Sequence, residues 1–324
     1  MGKLIRIGTR ESQLAVWQAT KVQQLLAQNN FQSELVFIKS EGDIDLQTPL
    51  YEMGVQGIFT KSLDIALLNN KIDIAVHSMK DVPTQLAKGI VPSAVLERAS
   101  YKDLLVYKHS SVVNGQWSIV NEDPAKFEAL LTPHASPLTI ATSSIRRKAQ
   151  WLNRFPNHNI ENLRGNVNTR LRKVEESNWD GAIFAAAGLE RINLRPQNSI
   201  ELNWMLPAPA QGAIMVVCRE GDDFCLDACN HFHHQHTAVC TQIERDFLRT
   251  LLGGCSTPIS ALAVAENNNI IFNGNILSID GKEKVDIEKT ISITEATGFG
   301  KTAAEYLLAN GGQKIADAIR NAAK

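Results

Sequence analysis

Long apolar runs are missing from this sequence of 324 residues. No stretch approaches the roughly 18 consecutive apolar residues that a transmembrane helix needs. The apolar run in residues 1–6 is broken too early for a secretory signal. We therefore expect no membrane span and no export of the chain.

An excess of charge of either sign is missing as well. The chain has 33 Lys and Arg against 34 Asp and Glu, which gives a net charge of -1. A nearly neutral chain has no global basic field that would attract nucleic acid or an anionic membrane. We expect no nucleic-acid partner, and any positive charge that matters must be local.

Cysteine is scarce, and its pattern indicates neither disulfides nor a metal. Five cysteines are an odd and low number, which favours reduced thiols and a cytoplasmic protein. A tract of cysteines and histidines does occur, but its spacing lacks the intervening fold element of common zinc sites. It comprises Cys218, Cys225, Cys229, Cys240, His231, His233, His234 and His236. We predict no metal site. A Rossmann glycine fingerprint and a Gly-x-Ser-x-Gly elbow are also absent.

What is present is an alternation of short β runs with helical patterns. The first set comprises strands at 4–8, 35–39 and 72–76, a helix capped by Ser12 that reaches about residue 28, and a helix at 59–68. After a Ser-, Asn- and Pro-containing insertion at 108–137, a second set follows. It comprises strands at 138–141, 159–163 and 181–185 and helices at 144–153 and 167–176. Such alternation predicts doubly wound α/β units, and the strand at 214–218 is expected to return to the first sheet.

The pattern changes after about residue 237. A helix to about residue 252 precedes alternating runs at 260–265, 270–277 and 284–293, and helices at 301–309 and 313–322 end the chain. This predicts a smaller C-terminal α+β unit with an antiparallel sheet. A chain of this length is expected to form two or three domains.

Polar residues that could bind an anion follow the strands of the first unit. Arg10 and Ser12 come after the first strand at the start of a helix, although Ser12 could act only as a cap. Lys80 and Asp81 follow the strand at 72–76, and Pro83 ends regular pairing there. A carboxylate at a strand end can act as acid, base or cation stabiliser, or can merely cap a turn.

The second unit repeats this arrangement with arginines. Ser143 and Ser144 precede Arg146 and Arg147 at a helix start, where hydroxyls, the helix N-terminus and two guanidiniums form a good anion site. Two further arginines follow the next strand, Arg164 and Arg170. Solvated surface arginines are the alternative, but two successive strand-end placements favour binding of a polycarboxylate.

Cys255 lies in the turn Gly253-Gly254-Cys255-Ser256-Thr257-Pro258. Glycines leave space around a thiol, so an electrophile could reach this sulfur, although free cysteines are usually small buried hydrophobes.

Together these segments resemble the porphobilinogen deaminase (hydroxymethylbilane synthase) family over most of the chain. The segments that carry the resemblance are Thr9-Arg10-Glu11-Ser12, Val76-His77-Ser78-Met79-Lys80-Asp81-Val82-Pro83, Thr142-Ser143-Ser144-Ile145-Arg146-Arg147, Leu163-Arg164-Gly165-Asn166-Val167-Asn168-Thr169-Arg170-Leu171, Ala187-Gly188-Leu189-Glu190-Arg191, Gln211-Gly212-Ala213 and Gly253-Gly254-Cys255. The octapeptide at 76–83 is the most specific of them.

The resemblance implies two doubly wound α/β domains like those of periplasmic binding proteins and a C-terminal α+β domain. Their expected bounds are 1–103 with 213–232, then 104–212, then 236–324. It also implies a dipyrromethane cofactor held by Cys255 through a thioether. Four porphobilinogen molecules would be added head to tail with loss of ammonia, and hydrolysis would release hydroxymethylbilane. We expect a cytoplasmic monomer whose partners are porphobilinogen and the growing pyrrole chain.

The resemblance also implies roles for individual residues. Asp81 would be catalytic, assisting departure of the amine and stabilising cationic intermediates. The cofactor would be held by Cys255, Lys80, Ser143, Ser144, Arg146 and Arg147. The substrate carboxylates would be bound by Arg10, Ser12, Arg164, Arg170 and Arg191.

Two departures from the family pattern concern a loop and the insertion. Gln56 and Glu52 stand where many relatives have lysine, and Lys61 could compensate in part. The segment 108–137 is longer than usual.

The main rival function is a non-enzymatic binding module of the periplasmic-binding-protein type, which would need neither Cys255 nor a third domain. A metal- or nucleic-acid-binding protein is a more distant alternative, since it depends only on the Cys/His tract and the arginines.

Overall fold

The computed structural model describes residues 3–39, 60–107, 137–251 and 257–322. Within these ranges the strands are β1 Ile5–Thr9, β2 Ser33–Phe37, β3 Ile74–Ser78, β4 Ile90–Val95, β5 Asp103–Tyr107, β6 Thr139–Ala141, β7 Asn159–Glu161, β8 Gly181–Ala185, β9 Ser199–Glu201, β10 Ile214–Arg219, β11 Ile259–Glu266, β12 Asn269–Leu277 and β13 Lys284–Ser292. The α-helices are α1 Gln13–Gln28, α2 Lys61–Leu68, α3 Ile145–Arg154, α4 Val167–Glu176, α5 Ala186–Glu190, α6 Asp223–Asn230, α7 Gln235–Leu251, α8 Phe299–Leu307 and α9 Gln313–Ala322. Short 3-10 turns occupy Met79–Asp81 and Ile293–Glu295.

The first sheet has the strand order β2-β1-β3-β10-β4, and we call it with its helices the first unit. β1 pairs in parallel with β2 and β3, whereas β10 runs antiparallel to β3 and β4. Apolar residues on both faces explain its position between helix layers. In β3, Ile74 and Val76 pack on one side with α1 and α6, and Ala75 packs on the other with α2. A strand buried on both faces needs a nearly continuous apolar run, which β3 has.

The second sheet, which with its helices we call the second unit, has the order β7-β6-β8-β5-β9. β6 pairs in parallel with β7 and β8, and β5 runs antiparallel to β8 and β9. Leu105 and Tyr107 of β5 pack on one face, and Leu104 and Val106 on the other. The two sheets therefore share one topology, in which the antiparallel fourth strand is supplied by a crossing of the chain between units.

The chain passes between the first and second units twice, through residues 96–102 and residues 202–213, and these two crossings lie side by side. Leu96 donates its N–H to the carbonyl of Ile214 at 3.0 Å, and Ala99 donates to Gly212 at 3.1 Å. Gly212 has a φ of +88°, and a Cβ built on it would lie 2.7 Å from the carbonyl oxygens of Ala99 and Ser100. Only glycine permits this approach of the two backbones.

The C-terminal unit is an antiparallel sheet, β11-β12-β13, covered by α7, α8 and α9. Its core includes Phe247 of α7 and Phe272 of β12, whose rings meet edge to face at 5.2 Å between centroids. This confirms the predicted antiparallel α+β unit.

Glu244 of α7 attaches this unit to the crossings. Its carboxylate is fully buried and accepts two hydrogen bonds from Arg98, at 2.6 and 3.1 Å, and one each from the N–H of Ala210 and Ala263, at 2.6 and 2.7 Å. Four donors compensate the desolvation of the buried charge. Both crossings and the third sheet therefore meet at one carboxylate.

Most predicted elements are present with shifted ends. α4, β8 and α9 have the predicted bounds, and β10 joins the first sheet as expected. β3 begins two residues later than predicted, because Ile72 and Asp73 form a buried turn before it. The strands β4, β5 and β9 were not predicted. The insertion lies outside the described residues except for Pro137, and the domain bounds given above stay a proposal.

Candidate active site

The predicted anion-binding segments follow the carboxyl ends of parallel strands in both units. Arg10 follows β1, and the 3-10 turn Met79–Asp81 follows β3. In the second unit, Ser143 follows β6 and Arg164 comes shortly after β7. In open α/β sheets this edge is where ligands bind.

Contacts between the units show that the two edges face each other. Nζ of Lys80 lies 3.5 Å from Oε1 of Gln211, whose Nε2 donates to Asp103, the carboxylate that binds Arg146 and Arg147. Asn168 of the second unit also donates from Nδ2 to Oε1 of Gln13 in α1, at 2.9 Å. The pKa of Lys80 responds to Asp81 in its own unit and to Asp103, Arg146 and Arg147 in the other. The pKa of Arg170 responds to Arg147 and Arg164, and to Asp81 across the cleft. The structure therefore brings Lys80 and Asp81 together with these arginines in one cleft between the units.

Lys80 is held at the junction of the units. Its Nζ lies 3.5 Å from Oε1 of Gln211, a buried residue of the second crossing. Desolvation lowers the pKa of Lys80 to about 8, against the opposing effect of the neighbouring Asp81 carboxylate. Asp81 is half-buried at the end of the same turn. A cation and a carboxylate are thus presented side by side at the strand tip.

Arg146 and Arg147 are buried side chains and not solvated surface arginines. Both bind one carboxylate, Asp103 at the start of β5, with Nη2–O distances of 2.7 and 2.8 Å. Arg146 also donates to the carbonyl of Leu206 at 2.7 Å, and Arg147 to that of Ile183 at 2.9 Å. Burial by itself would raise the pKa of Asp103, but the two guanidiniums hold it well below its usual range.

The group formed by Asp103, Arg146 and Arg147 carries more positive than negative charge. One carboxylate faces two guanidiniums, and the Nε of Arg146 and of Arg147 is buried without a hydrogen-bond partner among the described residues. Gln211 supports the group by donating from Nε2 to Asp103 at 2.9 Å. A further anion would compensate the excess charge. The sequence analysis did not identify Asp103, although an acidic residue at the start of an apolar strand was an available signal.

Ser143 and Ser144 both have local partners. Ser144 caps α3, accepting from the N–H of Arg147 at 3.5 Å. Ser143 donates its Oγ to the carbonyl of Leu163 at 2.5 Å, which ties the loop after β6 to the segment before Arg164.

Arg164 and Arg170 lie at the start of the neighbouring helix. Arg164 is 3% exposed, and its carbonyl accepts from Lys173 at 3.2 Å. Arg170 donates from Nε to the carbonyl of Gly165 at 2.7 Å, and desolvation, followed by the charge of Arg147, lowers its pKa to about 10. Such burial of like charges is expected where they are arranged for an anion.

The remaining predicted binding residues are Ser12, Arg10 and Arg191. Ser12 caps α1 by accepting from Ala15 N–H at 3.4 Å. Arg10 is half-buried, and its charge adds to desolvation in lowering the pKa of buried His77 to about 4. Arg191 donates to the carbonyl of Gly212 at 2.6 Å and lies over the ring of Trp17, 5.7 Å from its centroid. Arg191 therefore spans the two units at the crossing.

Three residues of the sequence analysis, Cys255, Gln56 and Glu52, lie outside the described residues. Lys61 begins α2 and is exposed.

The Cys/His tract is divided between separate environments. Cys218, Cys225 and Cys229 are buried in the first unit, whereas Cys240 is buried in the C-terminal unit. His233 accepts through Nδ1 from the N–H of Val95 at 3.1 Å. Across residues 3–39, 60–107, 137–251 and 257–322, no cluster of three His, Cys, Asp or Glu residues could hold a metal ion. In the same ranges no helix has the length and hydropathy to cross a membrane.

Comparison with models of known protein families identifies the family to which this chain is related. The model of "Porphobilinogen deaminase, dipyromethane cofactor binding domain" matches residues 5–227, and that of "Porphobilinogen deaminase, C-terminal domain" matches residues 238–309. The chain belongs to the porphobilinogen deaminase family. The resemblance drawn from the motifs is confirmed, and the chain is a transferase of tetrapyrrole biosynthesis.

Individual relatives are similar over nearly their whole length. The porphobilinogen deaminase of Syntrophotalea carbinolica is 39% identical over 319 residues, which cover 97% of this chain and 96% of the relative. The probable porphobilinogen deaminase of Methanocaldococcus jannaschii is 39% identical over 308 residues, covering 92% and 97%. Among solved structures, an ancestral cationic amino acid solute-binding protein has a TM-score of 0.40 at 14% identity, covering 71% of this chain and 87% of its own.

Proposed function

We propose that this chain carries a dipyrromethane on Cys255 and uses it to join four porphobilinogen molecules head to tail, releasing hydroxymethylbilane by hydrolysis. The observation that carries the proposal is the cleft in which Lys80 and Asp81 face Arg146, Arg147, Arg164 and Arg170. Each pyrrole of the substrate bears an acetate and a propionate, so the ligand is anionic while the reaction develops positive charge. The cleft offers both kinds of partner.

The residues of the cleft fit a dipyrromethane with four carboxylates. Asp103 neutralises only part of the charge of Arg146 and Arg147, and both arginines retain a buried Nε–H without a partner in the described part of the chain. Arg146, Arg147 and Lys80, with Ser143 and Ser144, would hold the cofactor. When bound, the cofactor supplies a nucleophilic pyrrole α-carbon at which the new chain starts.

Arg10, Ser12, Arg164, Arg170 and Arg191 are proposed to hold the porphobilinogen carboxylates. Hydrogen bonds between charged groups contribute about 1.5–3 kcal/mol each, so several of them orient the substrate firmly. Two of these side chains already have partners in the structure: Ser12 caps α1, and Arg191 binds the carbonyl of Gly212.

Asp81 is proposed to act on the reacting pyrrole. The C–N bond of the protonated aminomethyl group of porphobilinogen would break, ammonia would leave with the electrons of that bond, and the pyrrole nitrogen would supply an electron pair, which leaves a cationic azafulvenium. A carboxylate at the tip of β3 stabilises this cation electrostatically. The electron-poor methylene carbon is the position at which the nucleophilic α-carbon that the cofactor supplies would be joined, with one proton released to the medium.

Cytoplasmic location and a monomeric state belong to the same proposal. Four cysteines of the described chain, Cys218, Cys225, Cys229 and Cys240, are free thiols, which suits a reducing compartment. The absence of a net basic charge supports a small-molecule substrate in preference to nucleic acid.

Intact mass under denaturing conditions tests the proposal. We expect the purified protein to carry an adduct equal to two condensed pyrrole units, and Cys255→Ala to lack it. Asp81→Asn should keep the adduct while turnover of porphobilinogen falls by about 100-fold or more. Fully active protein without an adduct would refute attachment at Cys255, and unchanged turnover in Asp81→Asn would remove Asp81 from the reaction.

A further inference from the structure

Arg245 of α7 donates hydrogen bonds from the C-terminal unit to the turn that carries Asp81. It is 6% exposed, although α7 belongs to the core of another unit. Its Nη1 donates to the carbonyl of Val82 at 2.9 Å and lies 3.4 Å from that of Met79, and its Nη2 donates to Pro83 at 2.6 Å. The three carbonyls lie on both sides of Lys80 and Asp81 in the sequence.

The turn needs such a partner for a physical reason. Met79 and Val82 are buried, so the turn passes through a region with little access to water. Within the turn, Val82 N–H donates to the carbonyl of Met79 at 3.2 Å, and the carbonyls at its end have no helix to continue into. Buried carbonyls without donors are costly, and a planar guanidinium can satisfy two of them with fixed geometry.

We propose that Arg245 is a positioning residue of the active site, which fixes the backbone of the turn so that Lys80 and Asp81 are presented to the cleft. This inference rests on the proposed function for its catalytic consequence, and on the geometry alone for the positioning. Displacement of a catalytic group by about 1 Å can reduce the rate about 100-fold. The C-terminal unit would thus contribute to catalysis through the backbone of the first unit.

The neighbouring position Phe247 provides the matched control. Phe247 is a fully buried residue of the same helix, so Phe247→Leu weakens the core of the C-terminal unit without removing a bond to the turn. Arg245→Met removes the bonds and preserves much of the side-chain volume. Arg245→Lys keeps the charge but cannot reproduce the two-pronged contact.

The experiment measures steady-state kinetics and the hydrogen exchange of the peptide that spans residues 76–84. Rates are expressed per molecule of cofactor-loaded enzyme, and the loaded fraction is determined by intact mass. For Arg245→Met we expect kcat to fall about 10- to 100-fold with KM changed by less than about twofold, because the arginine cluster is untouched. Exchange of the 76–84 peptide should accelerate. Arg245→Lys should lie between Arg245→Met and the wild type, and Phe247→Leu should keep both kcat and the exchange of this peptide near the wild-type values.

Two results would overturn the proposal. One is a wild-type kcat, or a wild-type rate of exchange, in Arg245→Met. The other is an equal fall in kcat together with an equal acceleration of exchange in Phe247→Leu, which would show a general effect of docking the C-terminal unit. If the wild-type chain fails to convert porphobilinogen, the proposed function fails, and the exchange comparison still decides whether Arg245 fixes the turn.

Discussion

Asp103 binds Arg146 with 2.7 Å between Oδ2 and Nη2, and both side chains are almost completely removed from solvent. Since the same carboxylate also binds Arg147, its loss would leave two buried guanidiniums without a counter-charge. We therefore predict that Asp103→Asn lowers the free energy of unfolding by about 3–5 kcal/mol. Urea unfolding at neutral pH measures this change.

Asp280→Asn is the control for the Asp103 variant. Asp280 pairs with Lys282 at 3.4 Å, and both side chains are exposed, so its loss should change the stability little. Equal stabilities of Asp103→Asn and the wild type would show that the arginines do not depend on Asp103.

Loss of the Lys80 charge should lower the activity of the enzyme at alkaline pH, with the fall beginning near pH 8. Because burial lowers its pKa to about 8, the ammonium that would bind carboxylates is lost as the pH rises through that value. We predict that kcat/KM for porphobilinogen, which reports the free enzyme, falls above about pH 8. Lys80→Arg keeps its charge, so its alkaline limit should move towards pH 10, where the pKa values of Arg170 and Arg191 lie.

The stability contribution of Lys80 has the opposite sign. Its folded pKa lies below the unfolded value of 10.5, so the unfolded chain binds more protons between about pH 8 and 10.5 and the stability contribution rises with pH there. Activity should therefore decline above pH 8 without loss of folded protein, as followed by circular dichroism. An identical alkaline limit in Lys80→Arg would assign that limit to another group.

Arg164 should act on substrate binding and not on folding. Arg164→Leu removes a guanidinium that is 3% exposed, and we predict that kcat/KM falls about 10- to 150-fold, the equivalent of one lost charged hydrogen bond. Arg172→Leu in the helix that follows Arg164 is the control, because Arg172 is 68% exposed and pairs only with Glu176 among the described residues. A lower melting temperature with unchanged kinetics in Arg164→Leu would indicate a structural role.

The fold was predictable where local signals agree with packing. α4 begins after Asn166, whose side chain accepts from Thr169 N–H at 3.0 Å, and both of its predicted ends are correct. β9 was missed because its three residues, 199–201, carry no period of their own and form a strand only by pairing with β5. Such a strand is specified by its neighbour, which sequence patterns do not reveal.

The types of residue at the candidate site could be predicted from the sequence, whereas the residues that they contact could not. Strand-end placement singled out Lys80, Asp81, Arg146 and Arg147, whose roles stay predictions. It could not reveal that the arginines are buried, because Asp103 lies 43 residues before Arg146. Arg245 was missed for the same reason, since it is 163 residues from Val82 and resembles any helical arginine.

The close contact of the two crossings at Gly212 has a consequence for the chemistry in the cleft, because the next residue, Gln211, contacts Lys80. Any larger residue there would act as a wedge between the backbones, because its first carbon would collide with the carbonyls of Ala99 and Ser100. The two crossings would then have to separate at this point, beside the contact between Gln211 and Lys80. The absence of a side chain at Gly212 thus helps to set how closely the two units approach each other.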